Sequence, residues 1–362
     1  MVNLSTKIHN ITLKNPVMTA SGTFGYGEEF ADFIDLSRLG GIIVKGTTGE
    51  RRQGNPYPRM AETPSGMLNA VGLQNVGVGT FCKEVYPRIK DIDTNILVNV
   101  SGSSIEEYCS VAEQVNELDN IPGIELNISC PNVKAAGLAW GLSPDTAYYC
   151  VSAVRAVTKK PLMVKLSPNA PDNRPIAIAC IKAGADAISL INMVHGVAID
   201  IEKGKPFFNN VHAGYSGPGL KPLALRIVYD VIEEINKLPP EQRVPVVGIG
   251  GISTWQDAVE FIMAGASALQ IGTATFANPN TMKDIILGLR SFMIRKGYKN
   301  LDDIYEEGFI AETSDKEAFL MNWTENGTEV FVNYSNHDVN TSIGKVKALS
   351  FKYSRLKAAL FL

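Results

Sequence analysis

Short apolar runs recur along the chain, separated by stretches whose apolar positions fall at helical spacing. The runs cover residues 16–22, 41–45, 96–100, 123–128, 162–166, 187–191, 244–249 and 268–271. Ahead of them, residues 1–15 alternate apolar and polar positions through Leu4, Ile8, Ile11 and Leu13, which predicts a hairpin. Between the runs lie helix signals. Ser104-x-x-Glu107 and Ser253-x-x-Gln256 have the form of capping boxes. Ser143-Pro144 is an N-cap followed by proline at the first helical position. Gly184 and Gly265 follow helical runs as C-terminal stops. Eight strands alternating with helices over roughly 250 residues predict an α/β fold of the (β/α)8 TIM barrel type, with an N-terminal hairpin. A doubly wound sheet is the alternative, and no G-x-G-x-x-G follows the first strand to support it.

Most of these runs end in polar or glycine-rich tips, and a parallel barrel brings all such tips to one face. They are Ser21-Gly22, Lys45-Gly46-Thr47-Thr48, Asn99 with Ser101-Gly102, Cys130-Pro131-Asn132, Lys165 with Ser167, Ile191-Asn192, Gly250-Gly251 and Gly272-Thr273. Two long connections, 50–76 and 195–218, interrupt the alternation. Connections of that length in a compact domain are functional or disordered, and the second suits a hairpin or lid.

The tips carry candidate chemistry. Glycines after the seventh and eighth strands let backbone N–H groups approach a phosphate. Lys45 and Lys165 are strand lysines in apolar surroundings. Such a cation stabilises negative charge arriving on a cofactor ring. A buried salt bridge is the competing reading, discounted because the strand tips offer few acids. Asn69, Asn75, Asn127, Asn132 and Asn192 supply amides that suit a flat ring with imide or amide edges. Cys130 is a candidate nucleophile or general base, with no histidine in an evident pairing role. No zinc-type ligand spacing occurs, so no metal is expected.

Net charge of −3 over 362 residues gives no basic footprint for nucleic acid. No window is apolar enough for a membrane span, and the first residues lack a hydrophobic signal core. The five cysteines show no C-x-x-C pair, which fits a reducing, cytoplasmic setting. Beyond Asp303 the composition changes: 311–341 is polar, and 343–362 carries five basic residues and no acid. This predicts a barrel domain over 1–304 and an accessory extension over 305–362.

The segments Val44-Lys45-Gly46-Thr47-Thr48, Asn69 to Asn75, Asn127 to Val133, Ser189 to Asn192 and Gly248 to Ser253 together resemble class 1 dihydroorotate dehydrogenase. Within that family the resemblance is to the class 1B catalytic subunit of the NAD-linked enzyme, and it covers about residues 1–303. It implies an FMN barrel that oxidises dihydroorotate to orotate in pyrimidine biosynthesis. It further implies a partner subunit carrying FAD and an iron–sulfur cluster, in a heterotetramer built on a catalytic homodimer. By position, the resemblance assigns FMN contacts to Ser21, Lys45, Gly46, Asn99, Asn127, Lys165, Ile191, Gly217, Gly250, Gly251, Gly272 and Thr273. It assigns the substrate to Lys45, Asn69, Ala70, Val71, Gly72, Leu73, Asn127, Asn132, Asn192 and Met193, and the role of base to Cys130. Met193 stands where the family usually has a hydroxyl residue, and Ala136 replaces a common glycine. Competing readings are a class 1A fumarate-linked enzyme, another FMN barrel such as dihydropyrimidine dehydrogenase or tRNA-dihydrouridine synthase, and a non-catalytic barrel binding a nucleotide or phosphate.

Overall fold

A computed structural model of the chain describes residues 2–129 and 140–306, together with strand segments 323–325, 328–333, 338–341 and 344–347. Eight parallel strands close into a barrel: β1 (Val17–Thr19), β2 (Gly41–Ile43), β3 (Asn95–Val100), β4 (Ile124–Asn127), β5 (Leu162–Lys165), β6 (Ala187–Leu190), β7 (Val246–Ile249) and β8 (Ala268–Ile271). They follow one another in chain order around the barrel, and β8 pairs back onto β1 through Leu269↔Val17 and Ile271↔Thr19. The predicted fold class is therefore observed. The strands are shorter than the apolar runs. In β2, for example, Lys45 lies beyond the paired residues rather than within them.

Alternation along each strand sends every second residue inward. Met18, Ile43, Leu97, Met163, Ala187, Val247 and Ala268 form one apolar cluster with Ile8, Ile11 and Leu13. Those three belong to the predicted N-terminal hairpin, Thr6–Ile8 with Ile11–Leu13, which thus plugs the amino end of the barrel. Of the next inward positions, Lys45, Asn99, Lys165, Ser189 and Gln270 are polar, and they lie towards the other end.

Helices α1 (Ile105–Asn116), α2 (Pro144–Val157), α3 (Asn173–Lys182), α4 (Lys221–Asn236), α5 (Trp255–Met263) and α6 (Thr281–Lys296) follow β3 to β8 in turn. Helix α4 shows why: Ala224, Ile227, Val228, Val231, Ile232 and Ile235 recur at three- and four-residue spacing and are all buried. Gly184 and Gly265 take φ of 101° and 99° just past α3 and α5, the left-handed region that favours glycine at a helix end. Ser143 accepts from the Thr146 N–H as predicted.

Both predicted capping boxes need correction. Ser104 Oγ does accept from the Glu107 N–H at 3.2 Å. The Glu107 carboxylate, however, turns to the Gly49 and Ser103 N–H groups and to Arg52, pinning the loop after β2 onto α1. At α5 the box lies one residue later, between Thr254 and Asp257. The shorter Asp257 side chain reaches the Ser253 and Thr254 N–H groups at 2.9 and 2.8 Å, and it pairs with Lys221 at 2.8 Å.

Burial pushes the Asp257 carboxyl up, but the Lys221 ammonium and those N–H donors outweigh it and hold the group below the usual carboxylate range. Its contribution to stability is therefore complete above the ordinary carboxylate pKa of ~3.9. It is lost as the pH falls through the lower folded-state value. Asp257→Ala is expected to cost about 1–3 kcal/mol in urea unfolding near neutral pH. The deficit should shrink towards zero in strong acid, and a deficit independent of pH would contradict this account.

The chain divides into two compact units, 1–309 and 310–362. The described part of the second unit is an antiparallel meander of Trp323–Glu325, Thr328–Asn333, Asp338–Thr341 and Gly344–Lys347, strands the sequence reading does not assign. Among the described residues no helix is long and apolar enough to cross a membrane.

Candidate active site

The two long connections meet. Strands Met60–Thr63 and Gly66–Asn69 from the first pair with His212–Ser216 and Val194–Val197 from the second, giving one four-stranded antiparallel sheet. His195 falls on its edge strand Val194–Val197 and His212 on the adjoining inner strand, with their rings 6.3 Å apart. Links between this sheet and the strand tips hold it at the carboxyl end of the barrel. Thr273 Oγ1 lies 2.8 Å from Ser216 Oγ, and the Asn69 amide donates to Met193 Sδ at 2.8 Å. Gly46 is tightly packed: a Cβ would stand 3.1 Å from Asn99 Oδ1 and 3.4 Å from Leu73, so these side chains would have to shift to admit one.

Beneath the sheet runs a connected polar network. Glu125, fully buried on β4, accepts from Asn99 Nδ2 at 2.6 Å, Ser189 Oγ at 2.9 Å and Gln270 Nε2 at 2.6 Å. Asn99 Oδ1 accepts from Ser101 Oγ at 3.1 Å and from Asn127 Nδ2 at 3.5 Å, which fixes the orientation of its amide. Asn127 Oδ1 accepts from Ser129 Oγ at 2.6 Å, and Ser129 Oγ accepts from Asn192 Nδ2 at 2.5 Å. Residues from β3, β4, β6 and β8, with the tips after β4 and β6, are thus joined in one chain of hydrogen bonds. Among its described members only Gln270 Oε1 lacks a partner, and a network this nearly satisfied holds its geometry in a low-dielectric interior.

Lys165 is buried beside it, with Nζ 3.3 Å from Ser21 Oγ and 3.8 Å from Glu125 Oε2. This corrects the sequence reading, which discounts a buried ion pair for want of acids at the strand tips. The acid is inside a strand and not at its tip. Lys45 is half-buried just past β2. Burial pushes its ammonium below the usual lysine range, Glu29 pulls it back up, and Arg59 adds to the lowering.

A glycine cradle faces the start of α4. Gly250 and Gly251 have φ of 126° and 73°, and a Cβ on them would stand 2.6 Å from Ala224 Cβ and 2.5 Å from the Lys221 backbone nitrogen. No side chain caps α4; the Lys221 N–H donates to the Pro218 carbonyl and Pro222 carries none, so the donors its first turn could offer are those of Leu223 and Ala224. Gly217, with φ 111°, packs against Gly66, and Gly272 lies against Ala20 and Thr23. Ile191 is buried against Gly250. Bare glycine backbone beside an uncapped helix start is an arrangement that suits an anion.

Of the predicted substrate residues, Asn69, Asn127, Asn192 and Met193 come together. The strand ends at Asn69, the chain runs on through Ala70 and Val71, and Gly72 and Leu73 have φ of 77° and 54°. Asn55 Nδ2 bonds the Ala70 carbonyl at 2.8 Å, fixing that turn. Asn75 is spent internally, bonding Thr48 through both ends of its amide. Cys130 and Asn132 lie outside the described residues, as do Val133 and Ala136. Glu125, Ser129, Ser189 and Gln270 were missed. The available signal was a polar residue at an inward position of an apolar run.

The family model for dihydroorotate dehydrogenase matches residues 3–293. Among curated relatives, the catalytic subunit of dihydroorotate dehydrogenase B (NAD(+)) from Bacteroides thetaiotaomicron is 58% identical over 304 residues, 84% of this chain and 98% of the relative. The subunit of the same name from Geotalea uraniireducens is 48% identical over 302 residues, 83% of this chain and 97% of the relative. Among solved structures, the crystal structure of DHODH from Eimeria tenella in complex with ferulenol aligns with a TM-score of 0.68 at 21% identity. It covers 84% of this chain and 88% of that one, a likeness of fold.

Proposed function

The chain belongs to the dihydroorotate dehydrogenase family, and from that premise we propose that it oxidises dihydroorotate to orotate with FMN and hands the electrons to a partner subunit for delivery to NAD. The observation that carries the reading is the joining of Lys165, Asn127 and Asn192, through Glu125, Asn99 and Ser129, beneath the four-stranded sheet of the two long connections (the excursion sheet), with a glycine cradle at the neighbouring tips.

The cradle suits the phosphate of FMN, because Gly250 and Gly251 bring bare backbone directly against the start of α4, where any side chain would collide with Ala224 or Lys221. Gly217, Gly272 and Thr273 border the same place. Ser21, Lys45, Gly46, Asn99, Asn127, Lys165 and Ile191 would line the remainder. When bound, FMN supplies the hydride acceptor. The protein's own residues do the rest. Dihydroorotate loses a proton from the ring carbon beside a carbonyl and a hydride from the adjacent carbon, and the double bond forms between them. Cys130, directly after Ser129 in the chain, takes the proton as thiolate. Asn69, Asn127, Asn132 and Asn192 offer neutral donors and acceptors to the ring edges, with the backbone of Ala70, Val71, Gly72 and Leu73 beside them. Lys45 and Lys165 supply positive charge in a site that the excursion sheet shields from water. Met193, tied to Asn69 through its sulfur, contributes packing where a hydroxyl would contribute a hydrogen bond.

The purified protein is expected to be yellow, with a flavin spectrum that orotate perturbs. Gly251→Ala should fold yet lose flavin at least ~100-fold more readily, since its Cβ would press on the Lys221 backbone. A colourless wild type would favour the non-catalytic barrel. A flavin that ignores orotate would favour another FMN barrel.

A further inference from the structure

Glu125 is a wholly buried carboxylate that no part of the proton and hydride chemistry requires. Among the described residues its polar contacts are all with donors: Asn99 Nδ2, Ser189 Oγ, Gln270 Nε2 and, at ion-pair distance, Lys165 Nζ. These partners come from four different strands, so the carboxylate is held from all sides of the barrel. Removing a carboxylate from water is costly, and a protein keeps one inside only where partners compensate it. Lys165 raises the same question, being buried with one hydroxyl, Ser21 Oγ, in hydrogen-bond reach. The two charges answer each other. Three neutral donors hold Glu125, so it does not need to close on Lys165, and the separation stays at 3.8 Å. The ammonium is neutralised in part and keeps donor capacity free.

We propose that Glu125 is a positioning residue that acts through Lys165: a fixed internal counter-ion that holds the buried ammonium in place and sets how much of its positive charge is available to the cofactor. The proposal rests on the FMN reading above for its second half. The consequence is directional. With Glu125 present the buried pair has no net charge, and anionic reduced flavin is stabilised only by the excess field of the nearer cation. With a neutral residue at 125 the full charge of Lys165 is exposed to the flavin, and reduction becomes easier. Glu125→Gln keeps the shape, and Gln270 Oε1, which has no partner among the described residues, can accept from the new amide if the Gln270 amide turns.

The test is a double-mutant cycle on the full chain with flavin removed, using Glu125→Gln, Lys165→Met and the pair together. Each single change leaves one buried charge without its partner and should lower the thermal unfolding midpoint by several degrees. The double change should recover most of that loss. Additive losses in the double variant would overturn the ion-pair half. If Glu125→Gln alone does not fold, the double variant decides: folding supports the counter-ion role, and failure overturns it. In flavin-loaded protein, Glu125→Gln should shift the two-electron reduction equilibrium at least tenfold towards reduced flavin, ~30 mV positive. An unchanged potential in a fully loaded variant overturns the tuning half. A wild type that takes up no flavin at all would instead sink the FMN reading, and the unfolding cycle would still judge the pair.

Discussion

Replacing Cys130 with alanine is expected to leave a yellow protein that still binds orotate but reduces its flavin with dihydroorotate at least ~100-fold more slowly, the usual contribution of a positioned base. The reason lies in the substrate. The proton beside its carbonyl is weakly acidic, and the ring cannot become aromatic-like orotate until some group accepts it. Ser129, the residue before Cys130, joins Asn127 to Asn192 in the network that lies under the excursion sheet. The backbone leaving that network therefore starts from a fixed point. A cysteine thiol titrates near pH ~8.5, so a few per cent is thiolate at neutrality. Flavin reduction in the wild type should accomplish about a tenfold gain per pH unit below that value and level off above it. Orotate affinity should survive in Cys130→Ala, because the amides at 69, 127 and 192 are untouched. A single-turnover stopped-flow measurement of flavin bleaching separates this step from any later electron transfer. A flat profile between pH ~6 and ~9, or a full-rate alanine variant, would defeat the assignment.

The barrel was legible because its signal is local. Residues 268–271 are apolar except for Gln270, are bounded by Ser267 and Gly272, and appear as a strand at those limits. The glycine stops at 184 and 265 are legible for the same reason: one residue type answers one backbone conformation. What the chain did not disclose depends on residues far apart. Glu125 reads as an intruder in a strand until Ser189 and Gln270, 64 and 145 positions later, close around it. The ion pair with Lys165 was dismissed on the count of acids at strand tips, a count that omits a carboxylate two residues further inside. The excursion sheet escaped for a related reason. Strand Gly66–Asn69 looks too short and too polar to be a sheet partner until His212–Ser216 lies against it. At α5, Ser253 and Thr254 are equally good caps by type, and the choice went to the one whose third neighbour, Asp257, could also reach Lys221.

The chain alone, loaded with FMN, is expected to reduce an artificial dye with dihydroorotate and to leave NAD untouched, gaining NAD activity only when a partner subunit is added. Nothing in the sequence offers a second redox station. No dinucleotide fingerprint follows a strand, and no cysteine spacing suits an iron–sulfur cluster. Cys82 and Cys109 are partly buried, and Cys150 and Cys180 are wholly so. Burial pushes the Cys150 thiol up to about 12 and raises that of Cys180 as well, so both stay protonated where a cluster would need thiolates. Electrons placed on the FMN must then leave to an acceptor outside the chain. The relatives that match over nearly their whole length are named catalytic subunits of an NAD(+) enzyme. Reconstitution decides between acceptors. Turnover with fumarate by the chain alone would assign it to class 1A. Turnover with NAD by the chain alone would defeat the two-subunit reading. Dye reduction without NAD reduction, converted to NAD reduction by a subunit carrying FAD and an iron–sulfur cluster, requires that the hydride enter at the barrel mouth and that single electrons leave from the same flavin to the partner.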